Sequence, residues 1–224
     1  GDFHDGHPSQ IDIQSVCFLV INIQAVCMQG GRSKDLPRSN RDRTEKTRTA
    51  LMQAARALFV DKGYAETSTP EIVAAAGITR GALYHHFEDK RALFRAVVTD
   101  EALAVASAIE LETPDGLQPV EALLKGSVAY LDAMRAPGRT RLLLIEGPSV
   151  LGLAEMKKLD DENAARTLRD GLEAAIDARG LPIAALADLL SASFDRAALA
   201  IDAGEDAQAY RAAIVALIRR VAAG

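Results

Sequence analysis

The stretch that decides the fold is residues 67–94, which read TSTPEIVAAAGITRGALYHHFEDKRALF. Its first part predicts a short helix, because the Thr69 hydroxyl suits a helix N-cap and Pro70 suits the first helical position. Gly77 is expected to end this helix, since glycine adopts positive φ at low cost. A second short helix follows the glycine, and this arrangement predicts a helix-turn-helix.

The second helix of the pair has two chemically different faces. Leu83 and Phe87 lie four residues apart and therefore share an apolar face. The opposite face offers a guanidinium, a phenol and an imidazole, and Thr79 can cap the N-terminus. A helix with one packed face and one such polar face is suited to lie in a DNA groove.

Apolar residues at helical spacing extend this pattern on both sides. A preceding helix is expected over residues 44–62, ended by Gly63, and a following helix is expected from Glu88 and Asp89 to about Glu110. We interpret the apolar residues of these helices as core rather than as a ligand site. They are Leu51, Leu58, Phe59, Ile72, Ile78, Leu83, Phe87, Leu93 and Phe94.

Charge is distributed unevenly along the chain, although the net charge of −5 alone argues against a nucleic-acid binder. Residues 32–95 contain thirteen Lys or Arg and eight Asp or Glu, whereas residues 96–224 contain thirteen and twenty. A basic unit joined to an acidic body fits a DNA reader attached to a second domain. A chance asymmetry is the alternative interpretation.

Composition limits the compartment and the class of protein. The 224 residues are enough for one or two domains, and abundant Ala and Leu favour helices. No segment reaches the length of apolar sequence that a membrane span needs. Cys17 and Cys27 form neither a disulfide framework nor a zinc-binding motif, so a reducing cytoplasmic location is expected.

From about residue 47 to residue 93 the sequence resembles the TetR family of bacterial transcription regulators. The resemblance rests on AARALFVDKGY at 54–64, TSTPEIVAAAGITRGALYHHF at 67–87 and DKRALF at 89–94. It implies an all-α fold, in which an N-terminal three-helix helix-turn-helix domain precedes a C-terminal helical ligand-binding and dimerisation domain. About nine helices are expected in total.

The resemblance divides the chain into three parts: a leader or arm (1–43), a helix-turn-helix domain (44–94) and a helical regulatory and dimerisation domain (95–224). The leader contains a moderately apolar run that suits a strand or one face of a helix. Our preferred hypothesis is that Met28 lies near a natural start and that residues 1–27 are vector-derived or translated leader.

The polar linker over residues 30–40 has two alternative roles. In family members such an arm sometimes contacts the minor groove, and a disordered segment is the other interpretation. The cations that would make such contacts are Arg38, Arg41 and Arg43.

Specific DNA recognition requires both phosphate contacts and base-edge contacts. Arg80 is the first candidate for base reading, because a guanidinium can contact guanine O6 and N7 together; a phosphate clamp is the alternative. Gly81 costs up to about 1 kcal/mol inside a helix, which close approach to DNA or simple packing would explain. Tyr84, His85 and Lys90 resemble phosphate contacts of the family. The candidate DNA-binding residues are Thr67, Thr69, Thr79, Arg80, Gly81, Tyr84, His85 and Lys90.

Neither a metal, a cofactor nor a catalytic centre is expected. His85 and His86 are adjacent, and adjacent helical side chains point about 100° apart, which makes a poor chelate. No nucleophile, phosphate-loop or zinc-protease motif is present, so the chain is not expected to be an enzyme. A structural or protein-binding helical module remains the other alternative, although it would not need the polar face around Arg80.

The resemblance also implies how the protein is regulated. The last two helices, over residues 181–223, are expected to pair with their copies in a homodimer, and their apolar stripes serve core and interface together. A homodimeric repressor would leave an inverted-repeat operator when a small-molecule effector binds the body. The candidate lining residues, for each of which plain core is the alternative, are Tyr130, Met134, Leu142, Ile145, Met156 and Phe194.

Overall fold

The structure is a computed structural model that describes residues 40–176 and 182–223. The hypotheses about the leader, the cysteines and Arg38 fall outside these residues. All regular secondary structure in the described part is helical, so the all-α prediction is confirmed. It comprises ten α-helices and one π-helical turn. They are α1 (Asn40–Lys62), α2 (Thr69–Ala76), α3 (Arg80–His86), α4 (Lys90–Glu112), α5 (Pro119–Met134), the π-helical turn (Arg141–Glu146), α6 (Gly147–Leu151), α7 (Leu153–Asp161), α8 (Ala164–Ala175), α9 (Ile183–Asp202) and α10 (Ala207–Ala223). None of the described helices is long and apolar enough to cross a membrane.

Helices α1 to α3 and the start of α4 form the N-terminal head. Of the nine predicted core residues, all are buried except Leu58 and Ile78, which are half-buried. Three rings lie at the centre, with the Phe94 centroid 5.1 Å from that of Phe59 and 5.0 Å from that of Tyr64. Edge-to-face packing at these distances adds to the apolar area that the rings bury.

The N-cap of α2 is Ser68, so the prediction of Thr69 as the cap was wrong. The Glu71 N–H donates to Ser68 Oγ at 3.4 Å, and the Ser68 N–H donates to Glu71 Oε2 at 2.9 Å. Of the two hydroxyl residues Ser68 and Thr69, only Ser68 is followed three residues later by an acidic residue. The two hydrogen bonds form a capping box, which satisfies two backbone N–H donors at once. Pro70 therefore takes the second helical position. Gly77 ends α2 at φ 67°, as predicted.

Helix α4 continues from the head into the body across the predicted boundary after residue 94. Its side chains Phe94, Val98 and Val105 belong to a single apolar cluster that also contains Phe59 of the head and Leu142 of the body. A second apolar cluster lies between α5, α8, α9 and α10. The head and the body therefore share a core along α4.

Two body helices differ from their predicted form. The apolar run after the break at Pro137 and Gly138 predicts a short helix over residues 139–146, but residues 141–146 form the π-helical turn, which continues directly into α6. The sequence also predicts a long helix to about Arg179 that Gly180 ends. In the structure this helix ends at Ala175, and Ile176 has extended backbone angles of φ −112° and ψ 130°. Gly180 lies outside the described residues.

Candidate nucleic-acid interface and body pockets

Helix α3 presents the polar face that its sequence predicted. The Ala82 N–H donates to Thr79 Oγ1 at 3.3 Å, so Thr79 is the N-cap as expected. Leu83 is fully buried, whereas Arg80 and Tyr84 are exposed and the Arg80 guanidinium carbon lies 5.5 Å from the Tyr84 ring centroid. The packed face thus holds the helix in place while the opposite face remains free for a partner.

The start of α2 lies beside this exposed face. Hydrogen bonding by Arg80 and by Thr69 lowers the pKa of the Tyr84 phenol. Gly81 and His85 are also exposed on α3, and a Cβ at Gly81 would meet open space apart from Thr79 Oγ1 at 4.0 Å. Packing within the described residues therefore does not require a glycine here, and close approach of DNA at Gly81 stays a prediction.

Thr67 does not belong to this surface. Its side chain is 1% exposed, and its hydroxyl donates to the carbonyl oxygens of Gly63 at 2.8 Å and Leu58 at 3.2 Å. Thr67 was a candidate for a phosphate contact through its hydroxyl or its backbone N–H. The structure contradicts this candidate, because the hydroxyl bonds the turn between α1 and α2 and the N–H donates to the Tyr64 carbonyl oxygen at 3.4 Å.

Lys90 has a structural role that the sequence did not indicate. Its ammonium donates to the carbonyl oxygens of Tyr64 at 2.8 Å and Thr67 at 2.9 Å, and it lies 4.1 Å from the Tyr64 ring centroid. Lys90 thus ties the start of α4 to the turn before α2. A phosphate contact by the same side chain stays a prediction.

A buried acid joins the head to the body. Glu101 of α4 is 5% exposed, and it accepts hydrogen bonds from Arg56 of α1 at 2.5 Å and from Arg139 at 2.6 Å. Burial alone would raise the pKa of Glu101, but these two guanidinium groups outweigh it and lower that pKa. Sequence reasoning missed this cluster, since its members are far apart in the chain.

Two further hydrogen bonds link the head to the π-helical turn. Arg141 donates to the Val60 carbonyl oxygen at 3.1 Å, and the Tyr64 N–H donates to Glu146 at 3.2 Å. Within the turn, Arg141 also donates to Glu146 at 3.1 Å. The orientation of the head on the body is therefore set by directional polar contacts in addition to the shared core.

Several pockets open among the described residues of the body, and two of them, called here the smaller and the larger pocket, together hold four of the six predicted lining residues. The smaller pocket, of about 400 Å³, lies between α4, α5, α8 and α9 and includes Phe194. The larger pocket, of about 530 Å³, lies between α4, α5, the π-helical turn, α7 and α9 and includes Met134 and Met156. Tyr130 lines both pockets.

The other two predicted lining residues face elsewhere. Leu142 is completely buried in the core and Ile145 is 53% exposed on the surface. The larger pocket is instead lined by Leu143 and Leu144. A π-helical turn holds more residues than an α-turn, so spacing based on the α-helix assigns the wrong residues of this run to the interior.

Three acidic residues line the larger pocket, and two of them, Asp160 of α7 and Asp195 of α9, accept hydrogen bonds from side chains of other helices. Tyr130 donates its O–H to Asp195 Oδ1 at 2.5 Å, and Ser191 donates to Asp160 Oδ2 at 3.1 Å. Burial raises the pKa of Asp160, and burial together with the nearby Asp160 raises the pKa of Asp195 to about 6. Burial likewise raises the pKa of the Tyr130 phenol.

Lys157, which also lines this pocket, is already engaged in ion pairs. Lys157 donates to Asp188 at 3.1 Å and to Asp161 at 3.0 Å. Within the described ranges, no Lys or Arg forms an ion pair with Asp160 or Asp195. The described residues also include no group of three or more His, Cys, Asp or Glu placed to hold a metal ion.

The capped and exposed helix α3, packed on α1 and α2, defines a helix-turn-helix protein with an attached helical body. The family profile described as bacterial regulatory proteins, tetR family, matches residues 51–97. A second profile, described as a tetracyclin repressor-like C-terminal domain, matches residues 120–224. The chain belongs to the TetR family of bacterial transcriptional regulators.

Individual relatives agree with this assignment. The Tn10 TetC protein of Escherichia coli is 30% identical over 118 residues, which cover 52% of this chain and 58% of that protein. The probable regulator ArpR of Pseudomonas putida is 32% identical over 109 residues, covering 46% and 50% of the two chains. The chain thus spans about half the length of these curated relatives. The crystal structure of a TetR-family regulator from Pectobacterium atrosepticum is 31% identical, covers 82% of this chain and 95% of that chain, and superposes with a TM-score of 0.61.

Proposed function

We propose that this chain is a homodimeric repressor that binds an inverted-repeat operator through α3 and leaves it when a small molecule binds the body. The observation that carries the proposal is the exposed face of Arg80 and Tyr84 on a helix whose opposite side, at Leu83, is completely buried. Because the buried side fixes the position of this helix, its exposed side chains can contact base edges in a defined geometry.

The charge distribution supports an electrostatic contribution to this binding. Positive charge exceeds negative charge over residues 32–95, and the reverse holds over residues 96–224. Phosphate binding by the head would release counterions, so affinity should fall steeply as salt is raised. Arg41 and Arg43 are exposed in the first turn of α1 and are candidates for such contacts.

The C-terminal helices carry the surface that we assign to dimerisation. Leu189 of α9 is 71% exposed and Leu217 of α10 is 39% exposed, while Leu190 and Ile218 of the same helices are buried. A second copy packed on this face would cover the exposed leucines. Two-fold symmetry would then present two α3 helices to successive major grooves, roughly 34–36 Å apart.

We assign the effector site to the larger pocket, because of the helices that line it. It is lined by Ala102 and Val105 of α4, the helix that continues into the head, and by residues of α9. A ligand that prefers one arrangement of these helices changes DNA affinity by the same coupling free energy in both directions. The LfrR regulator of Mycobacterium smegmatis, which shares this fold at 23% identity and a TM-score of 0.57, was solved in complex with proflavine.

Fluorescence anisotropy with the DNA upstream of the protein's own gene tests the assignment of α3. Arg80→Ala is expected to reduce the preference for this DNA over a scrambled duplex by about tenfold or more, the value of one bidentate base contact. Arg80→Lys keeps the charge but lacks the planar fork, so it separates base reading from a phosphate clamp. The matched control is Arg135→Ala, which removes another exposed guanidinium at the end of α5.

If Arg80→Ala and the control Arg135→Ala both bind and discriminate between the duplexes like the wild type, the proposed role of α3 is refuted. A complex containing one chain per duplex, measured by sedimentation, would refute the dimeric part of the proposal. Failure of every duplex to bind would favour the alternative of a structural or protein-binding module.

A further inference from the structure

We propose that the larger pocket binds an organic cation with an apolar body, whose charge is held by Asp160 and Asp195. This inference rests on the proposed effector-controlled function and specifies the chemical class of the effector.

The size and walls of the pocket suit a small organic molecule. Its volume of about 530 Å³ is within the range of small-molecule sites. Most of the lining is aliphatic or thioether, including Val105, Leu143 and Met156. Such walls stabilise a buried apolar ligand body, and they offer few hydrogen-bond partners to a strongly hydrated ligand.

The two carboxylates have acceptor capacity that the protein does not use. An ionised carboxylate has about four lone-pair sites. Asp195 accepts from Tyr130, and Asp160 accepts from Ser191 and from the backbone of Ala165. No Lys or Arg among the described residues forms an ion pair with either group, so both carboxylates have negative charge and lone pairs available to a cationic ligand.

The other ligand classes fit this site less well. An anion would meet two carboxylates, and a neutral molecule would leave both of them without a counter-charge. A bare metal ion would find no third protein ligand among the described side chains. Lys157 lies beside the pocket and acts electrostatically on Asp160, but its ion pairs with Asp161 and Asp188 leave it little attraction for an anion.

The cation would also touch the elements that transmit a signal. Asp160 belongs to α7 and Asp195 to α9, and the pocket between them is closed on the third side by α4. Neutralising the repulsion between the two acids would favour their closer approach. Movement of α7 or α9 toward the other would then press on α4, which continues into the head.

Isothermal titration calorimetry with two matched pairs of probes tests the charge requirement directly. Tetraphenylphosphonium and tetraphenylborate have the same shape and opposite charge, while phenyltrimethylammonium and tert-butylbenzene differ only in the charged atom. At pH 7.5 at least one cation is expected to bind about tenfold or more tightly than its partner, as a charge pair in a partly buried site implies. If neither cation binds more tightly than its partner, the proposal is wrong.

Isosteric variants then locate the charge. Asp160→Asn and Asp195→Asn are each expected to weaken the preferred cation by about tenfold. Asp188→Asn is the matched control, because Asp188 lines the same pocket but its side chain is 56% exposed and paired with Lys157. An equal loss in all three variants, or no loss in the two interior variants, would overturn the assignment.

The titrations use free protein, so they are independent of operator binding. Cation binding without operator binding would support this pocket and refute the proposed repressor function. Operator binding without preferential cation binding would leave the repressor proposal standing and overturn the inference. Release of operator by the cation in the wild type, but not in Asp195→Asn at the same concentration, is the expected result when both are correct.

Discussion

Replacement of Asp195 by Asn is expected to stabilise the protein at neutral pH. The folded structure raises the pKa of this carboxyl from its ordinary 3.8 to about 6, mainly because burial penalises the charged form. This difference corresponds to about 3 kcal/mol of stability lost when the group is ionised in both states. Asparagine keeps an oxygen that accepts the Tyr130 hydrogen bond, but it carries no charge to desolvate.

The dependence on pH separates this effect from any change in packing. Because its pKa is higher in the folded protein, Asp195 binds a proton there between about pH 4 and 6 while the unfolded chain has lost it, so stability falls as pH rises through this range. The cost is about 3 kcal/mol at pH 7.5 and about 1 kcal/mol at pH 4.5. The gain from Asp195→Asn should therefore be about 2 kcal/mol larger at pH 7.5 than at pH 4.5.

Urea unfolding followed by circular dichroism measures these differences at both pH values. Protein concentration is held constant, because dimerisation would make stability depend on it. The charged groups that act on Asp195 and its neighbour Asp160 include Lys157 and Asp161. These groups are present in both the wild type and Asp195→Asn, so the contribution of their titration largely cancels in the difference between the two proteins. Asp188→Asn, a change at an exposed acid, should show no such dependence on pH.

A gain of equal size at both pH values would refute the reasoning, since it would show that desolvation of the carboxylate is not its source. A loss of stability in Asp195→Asn that is larger at pH 7.5 than at pH 4.5 would also refute the reasoning. The expected combination of higher stability with weaker cation binding in one variant is typical of a side chain kept for binding rather than for folding.

Three further substitutions test other parts of the structure by urea unfolding. Glu101→Gln should cost about 3 kcal/mol, because it leaves the two partly buried guanidinium groups of Arg56 and Arg139 without their shared counter-charge. Ser68→Ala should cost about 1 kcal/mol through loss of the α2 capping box, and no loss would contradict the cap assignment. Gly138→Ala should cost about 2 kcal/mol or more, because φ is +76° and the new Cβ would overlap the Val60 side chain. Gly116→Ala, at φ +90° with open space around it, should cost about 1 kcal/mol, so equal losses would exclude the overlap as a cause.

Sequence reasoning succeeded in the head where the signals are local. Thr79, Leu83 and Gly77 have the roles that cap chemistry, helical spacing and positive φ predicted for them. It failed at the N-cap of α2, where Ser68 and Thr69 both carry a suitable hydroxyl. The choice between them depends on Glu71, whose carboxylate completes a capping box only with Ser68.

Resemblance to a family was less informative about individual contacts than about the fold. Lys90 braces the turn before α2 in this structure, and its phosphate contact is still a prediction. In the body, the π-helical turn buries Leu142, which is the plain-core alternative given for it, and exposes Ile145, which was a candidate for either the pocket lining or the core. A change of helix type alters which residues of an apolar run face inward, and no local pattern in that run distinguishes the two types.

The sequence by itself determined the helical class, the helix-turn-helix and the two faces of α3, because caps, glycine turns and four-residue spacing act within a few residues of each other. Only the tertiary structure decided that Glu101 meets two arginines, and that Asp160 and Asp195 share one apolar pocket. Burial and the distance between charges depend on how separate helices pack, and the pKa of a carboxylate follows from both. An acid that looks solvated in a linear chain therefore becomes a candidate ligand-binding group only after α5, α7 and α9 have come together.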